Sequence, residues 1–495
     1  MRNPRLLALM AGPLGALMVA MMNTPDGLTL AGQRSLAVLV LCVDWGGFTP
    51  VGLPVTSIMG LALLPLMGAL PASEAFALFG NQAVFFVIGV FLVAAVLMET
   101  GLSSRMCLVG LRRFAKNEDR LCNGVLFISW ALCALIVSHA VAALMLPIVL
   151  ELNRALGLGL RSRTAKRLLL SMAWGTVAGS NLTLLSSARA TLSLELYGSY
   201  LSENALPAAP IGFLEYSTGS FPISLASVLM AAVILRVIFP PEGLNLGPAV
   251  AQLDQRVQAM GAMSRREMAT LAVVAAMIVS IVVFGREHGL GTVALLFSAI
   301  LFAMQTLRWE DAERYVNWGV ALMYGGAIAI GSALHSTGAT RWLIDTVMPS
   351  TEINAWVALG SATFATAALT ELVSNSAVIA VMMPVLLPVA ETVSLDPRVF
   401  AWSAPISAGL AFMLPTSTPA LAMVFGTGHL RIRHTLPGII ITLFSFAQNL
   451  ILFIFFHFFF FAALPSFVVL VLSLIVWAQV PTSIRCPTVP AWHTS

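Results

Sequence analysis

Apolar residues fall along this chain in long runs separated by short polar or basic pieces, and about 17 to 25 such residues make one helical bilayer crossing. Runs of that kind lie near residues 6–22, 32–47, 51–70, 79–98, 217–238, 268–284, 289–307 and 317–335. The pattern predicts an all-α, polytopic membrane protein. Two more runs are broken in the middle, 168–200 at "GSNLT" and 400–428 at "TSTPA". The opening "MRNPRLLALMAGPLGALMVAMMN" has the basic-then-apolar order of a signal peptide but no small-residue cleavage site, so it is expected to stay as the first span.

Charge fixes the orientation. The stretch "SSRMCLVGLRRFAKNEDR" carries Arg105, Arg112, Arg113, Lys116 and Arg120, and "RALGLGLRSRTAKR" follows at Arg154 to Arg167. Both are expected in the cytoplasm by the positive-inside rule. Between them, the segment from Leu121 to Leu150 holds no Lys, Arg, Asp or Glu. A segment that leaves and re-enters the same side needs about 40 residues for two full crossings. This one is too short for that, so it is expected to be a re-entrant hairpin with its tip at "VSHA", residues 137–140. A second charge-poor stretch, 353–390, is long enough for either reading by itself. The basic "HLRIRH" after residue 428 returns to the cytoplasm, and the connections near 336–352 and 391–399 face outside.

An internal repeat decides the second stretch. The offset that superposes Gly89 on Gly326 also superposes, without a gap, Leu97 on Leu334, Thr100 on Thr337 and Pro147 on Pro384, together with Ala140, Val141, Ala143 and Met145 on their counterparts. It lays "VSHA" on "SNSA" and "GSNLT" on "TSTPA" as well. The first copy begins with a span entering the cytoplasm and the second with one leaving it, which makes an inverted repeat with two re-entrant hairpins and two broken transmembrane helices. That is the build of secondary transporters, whose substrate and ion sites lie where the breaks meet. The expected organisation is N-terminal scaffold spans in 1–78, then a first repeat over 79–238 with its hairpin at 121–153, broken span at 168–200 and a closing span at 217–238. A cytoplasmic linker covers 239–267 and further scaffold spans 268–316. The second repeat covers 317–434, with its hairpin at 353–391 and broken span at 400–428, before C-terminal spans over 435–480 and a polar tail over 481–495.

Composition agrees. The chain of 495 residues is 59% hydrophobic and 10% charged, against about 25% charged for a soluble domain. Its net charge of +4 is spread over short loops, so nucleic acid is not an expected partner. The five cysteines are odd in number and show no CxxC spacing, which points to packing rather than disulfides or a metal site. There is no HExxH and no GxSxG, and no intramembrane aspartate pair, so an enzyme is not expected.

A helix broken inside a membrane exposes free N–H groups at the start of its second half and free carbonyls at the end of its first. The first attract an anion and the second a cation, so one break can serve an anionic substrate and a coupling ion. At the second hairpin Ser374, Asn375 and Ser376 are types that cap a helix or coordinate through oxygen. Thr418 before Pro419 reads as an N-cap followed by Pro at the first helical position. The first repeat offers Ser138 and His139 at its tip, and Ser180, Asn181 and Thr183 in its break. Arg189 can steady an anion through paired N–H donors, or snorkel or pair structurally; the latter readings are preferred. Glu371, one turn before the tip, reads equally as a protonatable coupling group or as a carboxylate paired with a neighbour. His139 reads first as a packed residue and second as a proton carrier.

These motifs resemble the divalent anion/sodium symporter family, the transporters of dicarboxylates, citrate and sulfate within the ion transporter superfamily. "SNSAVIAVMMP" is similar to the family's Ser-Asn-Thr hairpin signature, "LAFMLPTSTPALAMVFGTG" to its second broken helix, and "LAVLVLCVDWGGFTPVGLPVTS" more loosely to an early segment. The resemblance spans roughly residues 30 to 430. It implies a multi-pass protein of the cell (inner or plasma) membrane, a homodimer in the lipid bilayer, with a mobile transport domain that moves a small anion as an elevator against a scaffold. It also implies Na+ as the coupling ion, one site per hairpin, and no organic cofactor. The sodium candidates it carries over are Ser138, Gly179, Ser180 and Asn181 in the first half and Ser374, Asn375 and Thr416 in the second. Departures are visible: Ala420 and Leu421 replace a Pro and an Asn, and Val137, Ser138 and His139 stand where the first hairpin's signature is expected. Sodium/proton exchange or arsenite-type efflux on the same scaffold is the alternative.

Overall fold

Every regular element in the computed structural model of this chain is a helix, across the described residues 4–49, 51–207, 210–347 and 354–462. The expected C-terminal run past 462, the polar tail and Cys486 lie outside those residues. At the start, α1 (Pro4–Met21) packs on α2 (Leu30–Phe48), which Thr29 caps by accepting from the Gly32 N–H. Next come α3 (Leu53–Leu66), the short α4 (Ala72–Phe79) and α5 (Gln82–Glu99). The first repeat continues through α6 (Leu102–Phe114), α7 (Glu118–Leu132), α8 (Ser138–Ala155), α9 (Arg163–Gly179), α10 (Ala188–Glu203) and α11 (Phe213–Ile238). Between the repeats lie α12 (Gly247–Ala259), α13 (Arg265–His288), α14 (Leu290–Ala303) and α15 (Trp309–Tyr315). The second repeat is α16 (Trp318–Ser336), α17 (Ala339–Val347), α18 (Ala355–Leu372), α19 (Asn375–Thr392), α20 (Pro397–Ala408) and α21 (Pro419–Gly426), followed by α22 (Ile432–Thr435) and α23 (Gly438–Ala462). By length and composition, six helical stretches among the described residues are able to cross a bilayer. By its contacts the chain divides at Phe446: the part before it is one unit, and from Ala447 a second begins, helical through Ala462.

The repeat seen in sequence is a repeat of elements. The offset that lays Gly89 on Gly326 carries the first residues of α6, α7 and α8 onto those of α17, α18 and α19, and the last residue of α8 onto that of α19. Asn117 and Asn354, related by the same offset, are both N-caps, accepting from the Arg120 and Trp356 N–H groups. The paired "TG" sequences end α5 and α16, and Gly101 and Gly338 take left-handed φ of 76° and 75°, which a residue without Cβ adopts freely. The paired glycines inside those helices have a packing cause. A Cβ on Gly89 would lie 2.7 Å from the Ala294 Cβ on α14, and one on Gly326 would lie 2.6 Å from the Ser57 Cβ on α3. Small residues are what let membrane helices approach this closely.

The register does not persist through the broken spans, and here the sequence expectation is corrected. Laying "GSNLT" on "TSTPA" without a gap fails because α9 has 17 residues and α20 has 12. The helices after the breaks start at Ala188 and Pro419, each preceded by an N-cap in extended conformation, Ser187 (φ −152°) and Thr418 (φ −140°). Ser187 therefore holds the position in the first half that Thr418 holds in the second.

The basic loops also hold more structure than the hydropathy pattern indicates. The amphipathic α6 packs against α12, inside the expected linker, with Arg112 2.5 Å from Asp254, while Arg105 meets Glu267 at 2.6 Å at the start of α13. Glu118, buried at the start of α7, accepts from the N–H groups of Glu242, Gly243 and Leu244. Glu242 in turn caps α9, accepting from the Ser162 hydroxyl at 2.6 Å and from the Arg163 and Thr164 N–H groups.

Candidate functional site

Each predicted hairpin tip is a gap between two helices: 133–137 separates α7 from α8, and 373–374 separates α18 from α19. Each broken span is a longer gap, 180–187 between α9 and α10 and 409–418 between α20 and α21. Within each half the tip and the break are tied together by the same bond. The Thr183 hydroxyl donates to the Ala134 carbonyl at 3.2 Å, and the Thr416 hydroxyl donates to the Glu371 carbonyl at 3.1 Å. Ala134 and Glu371 are counterparts in the repeat, so Thr183 and Thr416 play one role twice. In the first half the Ser138 N–H also donates to the Ser186 carbonyl at 3.0 Å. In the second the Thr370 hydroxyl spans both pieces, 2.6 Å from Asn375 Oδ1 and 2.9 Å from the Ala408 carbonyl.

Among the described residues Glu371 forms no ion pair with a basic residue. Its carboxylate, 4% exposed, accepts from three consecutive backbone N–H groups of the second break: Phe412 at 2.9 Å, Met413 at 3.2 Å and Leu414 at 2.9 Å. A run of free N–H groups is a natural anion cradle, and here a side chain of the protein fills it. Ser374, the N-cap position of α19, has a buried Oγ with no hydrogen-bond partner among the described residues. Asn375 and Ser376 are half-buried beside it, and Thr418 caps α21 by accepting from the Leu421 N–H, with Pro419 at the first helical position as predicted.

The two halves meet through Arg189. It is 2% exposed, so its guanidinium does not snorkel to an interface but lies among buried oxygens. Its Nε donates to the Pro405 carbonyl on α20 at 2.8 Å, and its terminal nitrogens reach Ser187 Oγ, the Ser180 carbonyl and hydroxyl, and Asn181 Oδ1. Asn181 is fully buried, and its Nδ2 donates to the Ile406 carbonyl at 3.4 Å. Trp174 on α9 donates to the Phe412 carbonyl at 3.0 Å. An unpaired buried charge costs several kcal/mol, so Arg189 must be held by its oxygens. His139 lies apart from these bonds, with its ring edge-on to Phe91 of α5 at 5.5 Å. Gly179 ends α9, where a Cβ would lie 2.7 Å from the Trp130 carbonyl, so its evident duty is close packing on α7.

The structure thus brings together both broken spans and both tips, with Ser186, Ser187, Thr370 and the backbone of 405–414 as members that the sequence reading missed. Ser187 was legible, as an N-cap type before a helical run. The backbone groups carry no residue signature.

A multi-span helical protein with paired, broken helices whose breaks converge has the architecture of a secondary transporter. The chain belongs to the family described as the sodium:sulfate symporter transmembrane region, which matches residues 3–478. That is the divalent anion/sodium symporter family its motifs resemble, and the protein is a multi-pass membrane transporter. The sodium-dependent dicarboxylate transporter SdcS of Staphylococcus saprophyticus is 24% identical over 457 residues, covering 87% of this chain and 86% of that protein. SdcS of Staphylococcus aureus strain USA300 is 23% identical over the same extent. The solved structure of MtrF of Neisseria gonorrhoeae, described with a class of antimetabolite efflux pumps, shares the fold with a TM-score of 0.54 at 13% identity, covering 92% of this chain and 94% of that one.

Proposed function

We propose that this protein takes up a small divalent anion, a dicarboxylate, citrate or sulfate, by sodium-coupled symport. The observation that carries the reading is the second tip: Ser374 presents a buried, unpartnered oxygen next to Asn375, and both lie against the break that Glu371 and Thr370 hold in place. Oxygen-rich, water-poor surroundings of that kind suit a hard monovalent cation. Ser374 Oγ, Asn375 Oδ1 and the Ala408 carbonyl are its proposed ligands, with Ser376 and the N-terminus of α19 facing the anion. The relatives' names, sodium-dependent dicarboxylate transporters, favour the same cargo.

For the motion we propose an elevator. The helices bearing the breaks, α7 to α10 and α18 to α21, pack chiefly on one another, whereas α5 packs on α14 and α16 on α3. Between these groups, where α2, α3 and α16 face α18 and α19, lies a cavity of about 120 Å³ lined by Cys42, Ile330, Leu369, Val378 and Val381 among others. The lining is mostly apolar, and sliding of one group on the other along this boundary is the motion proposed. Purified protein in liposomes tests the cargo: labelled succinate, citrate or sulfate is expected to accumulate when sodium is high outside, and uptake that ignores the sodium gradient would overturn the reading. Asn375→Ala is expected to abolish uptake in a protein that still elutes as a single folded species.

A further inference from the structure

The oxygens that the first half offers to a cation already hold one. Nη2 of Arg189 lies 2.6 Å from Asn181 Oδ1, 2.9 Å from Ser180 Oγ and 3.2 Å from the Ser180 carbonyl, and Nη1 lies 2.6 Å from Ser187 Oγ, while Nε reaches across to the second half, 2.8 Å from the Pro405 carbonyl. Among the described residues no carboxylate forms an ion pair with this guanidinium. A guanidinium keeps its charge across the physiological range and offers a rigid fork of donors. Each of those oxygens gives it a lone pair that a metal ion would otherwise use.

Two further observations fit a place built for a side chain. A Cβ on residue 409 would sit 2.0 Å from Arg189 Nη2 and 2.4 Å from Asn181 Oδ1, so Gly409 is what admits the guanidinium. The two halves also differ in the way this predicts: at the second tip Ser374 Oγ is buried without a partner among the described residues and Asn375 Oδ1 meets a neutral hydroxyl, that of Thr370, while the Ser180 hydroxyl and Asn181 Oδ1 in the first half are engaged by a cation.

We infer that Arg189 is a tethered cation that stands in for the exchangeable ion of the first half, leaving the second hairpin as the coupling site. The inference rests on the sodium-coupled reading above and sets its stoichiometry. The charge that one half of a symmetric carrier would load and release each cycle is here part of the chain.

Sodium dependence in proteoliposomes and sodium-induced thermal stabilisation in detergent test it together. Wild-type uptake is expected to rise with sodium at a Hill slope of about one, with one binding ion. Asn375→Ala is expected to lose all stabilisation by sodium over potassium. A sodium shift that survives in Asn375→Ala, or a wild-type slope near two, would show a working first site and overturn the inference while leaving symport intact. No sodium dependence in the wild type would instead sink symport itself. Arg189→Lys keeps the charge and is expected to keep the slope, whereas Arg189→Gln frees the oxygens and is expected to steepen it. An Arg189→Gln protein that folds and transports with an unchanged slope also overturns the inference, and if that variant fails to fold, the Asn375→Ala melt decides.

Discussion

Replacing Glu371 by glutamine tests whether the second tip and the second break act as one body. In the wild type two carboxylate oxygens receive the N–H groups of Phe412, Met413 and Leu414. Glutamine keeps one acceptor of similar shape but turns an NH2 toward groups that are themselves donors. Hydrogen bonds to a charged partner contribute about 1.5–3 kcal/mol each, and a buried donor left without a partner costs about 1–3 kcal/mol. The three bonds share one carboxylate and do not add fully, so the loss is set at roughly 2–4 kcal/mol, the scale of one or two such bonds. Unfolding entropy grows with length, so in a unit that runs to Phe446 1 kcal/mol moves Tm by about 1 °C, and Glu371→Gln is expected to melt roughly 2–4 °C lower in detergent and to lose most uptake. Thr416→Val, which removes a single neutral bond to the Glu371 carbonyl worth about 1 kcal/mol, is the comparison and is expected to melt only slightly early. A Glu371→Gln protein with wild-type melting and wild-type uptake would refute the reasoning, because the clamp would then hold neither the fold nor the site.

Other outcomes follow from the same geometry. Gly326→Ala forces a Cβ onto Ser57 and is expected to cost about 1–3 kcal/mol, the usual range for overpacking, whereas Gly360→Ala, with open space at its Cβ, is expected to be neutral or slightly stabilising; melting curves of the pair separate packing from helix propensity. Burial alone would raise the Glu242 carboxyl, but the Ser162 hydroxyl and the Arg163 and Thr164 N–H groups hold it at about 2, below its usual 4.5. A lowered carboxyl stabilises the fold above pH 4.5 and loses that contribution as pH falls toward 2, so Glu242→Gln is expected to melt earlier than wild type near neutrality and to converge with it in acid. A cysteine at exposed Ser394 is expected to react with an impermeant reagent from outside the cell; labelling only from the cytoplasm would invert the topology.

How much was legible in the sequence depended on what kind of group carried the information. Asn117 and Asn354, the glycines at 101 and 338, and Pro419 after Thr418 act through local backbone chemistry, which sets the starts of α7, α18 and α21 and the turns after α5 and α16. The breaks themselves were visible as polar islands in apolar runs. The register across them was not, because the shorter α20 differs from α9 by little more than a turn, which leaves no mark in hydropathy. Nor were the partners of Glu371, three backbone N–H groups some forty residues on, or the set around Arg189, which joins side-chain and backbone oxygens of the first break to the Pro405 carbonyl on another helix. Sequence left the partner of each open; the fold supplies N–H groups for Glu371 and carbonyl, hydroxyl and amide oxygens for Arg189.

That choice of partners explains why two charges of opposite sign can sit in one repeat protein without meeting. Glu371 lies one position inside the C-terminal end of α18, where the helix end disfavours negative charge, and it is held there by the N–H groups of 412, 413 and 414 in the second break. Arg189 lies in the first turn of α10, where the helix end disfavours positive charge, and it is tolerated there because its donors reach past that end to the carbonyl oxygens and hydroxyls of 180, 181, 187 and 405. The halves share a backbone plan but differ in what stabilises their breaks: a carboxylate gathers the N–H groups of one, and a guanidinium gathers the oxygens of the other. An anion entering between them meets a second break whose N–H cradle is filled and a first break whose cation is built in. Among the described residues Ser374 Oγ, beside Asn375, is buried without a partner, which is why the proposed exchange of ions is placed at that tip.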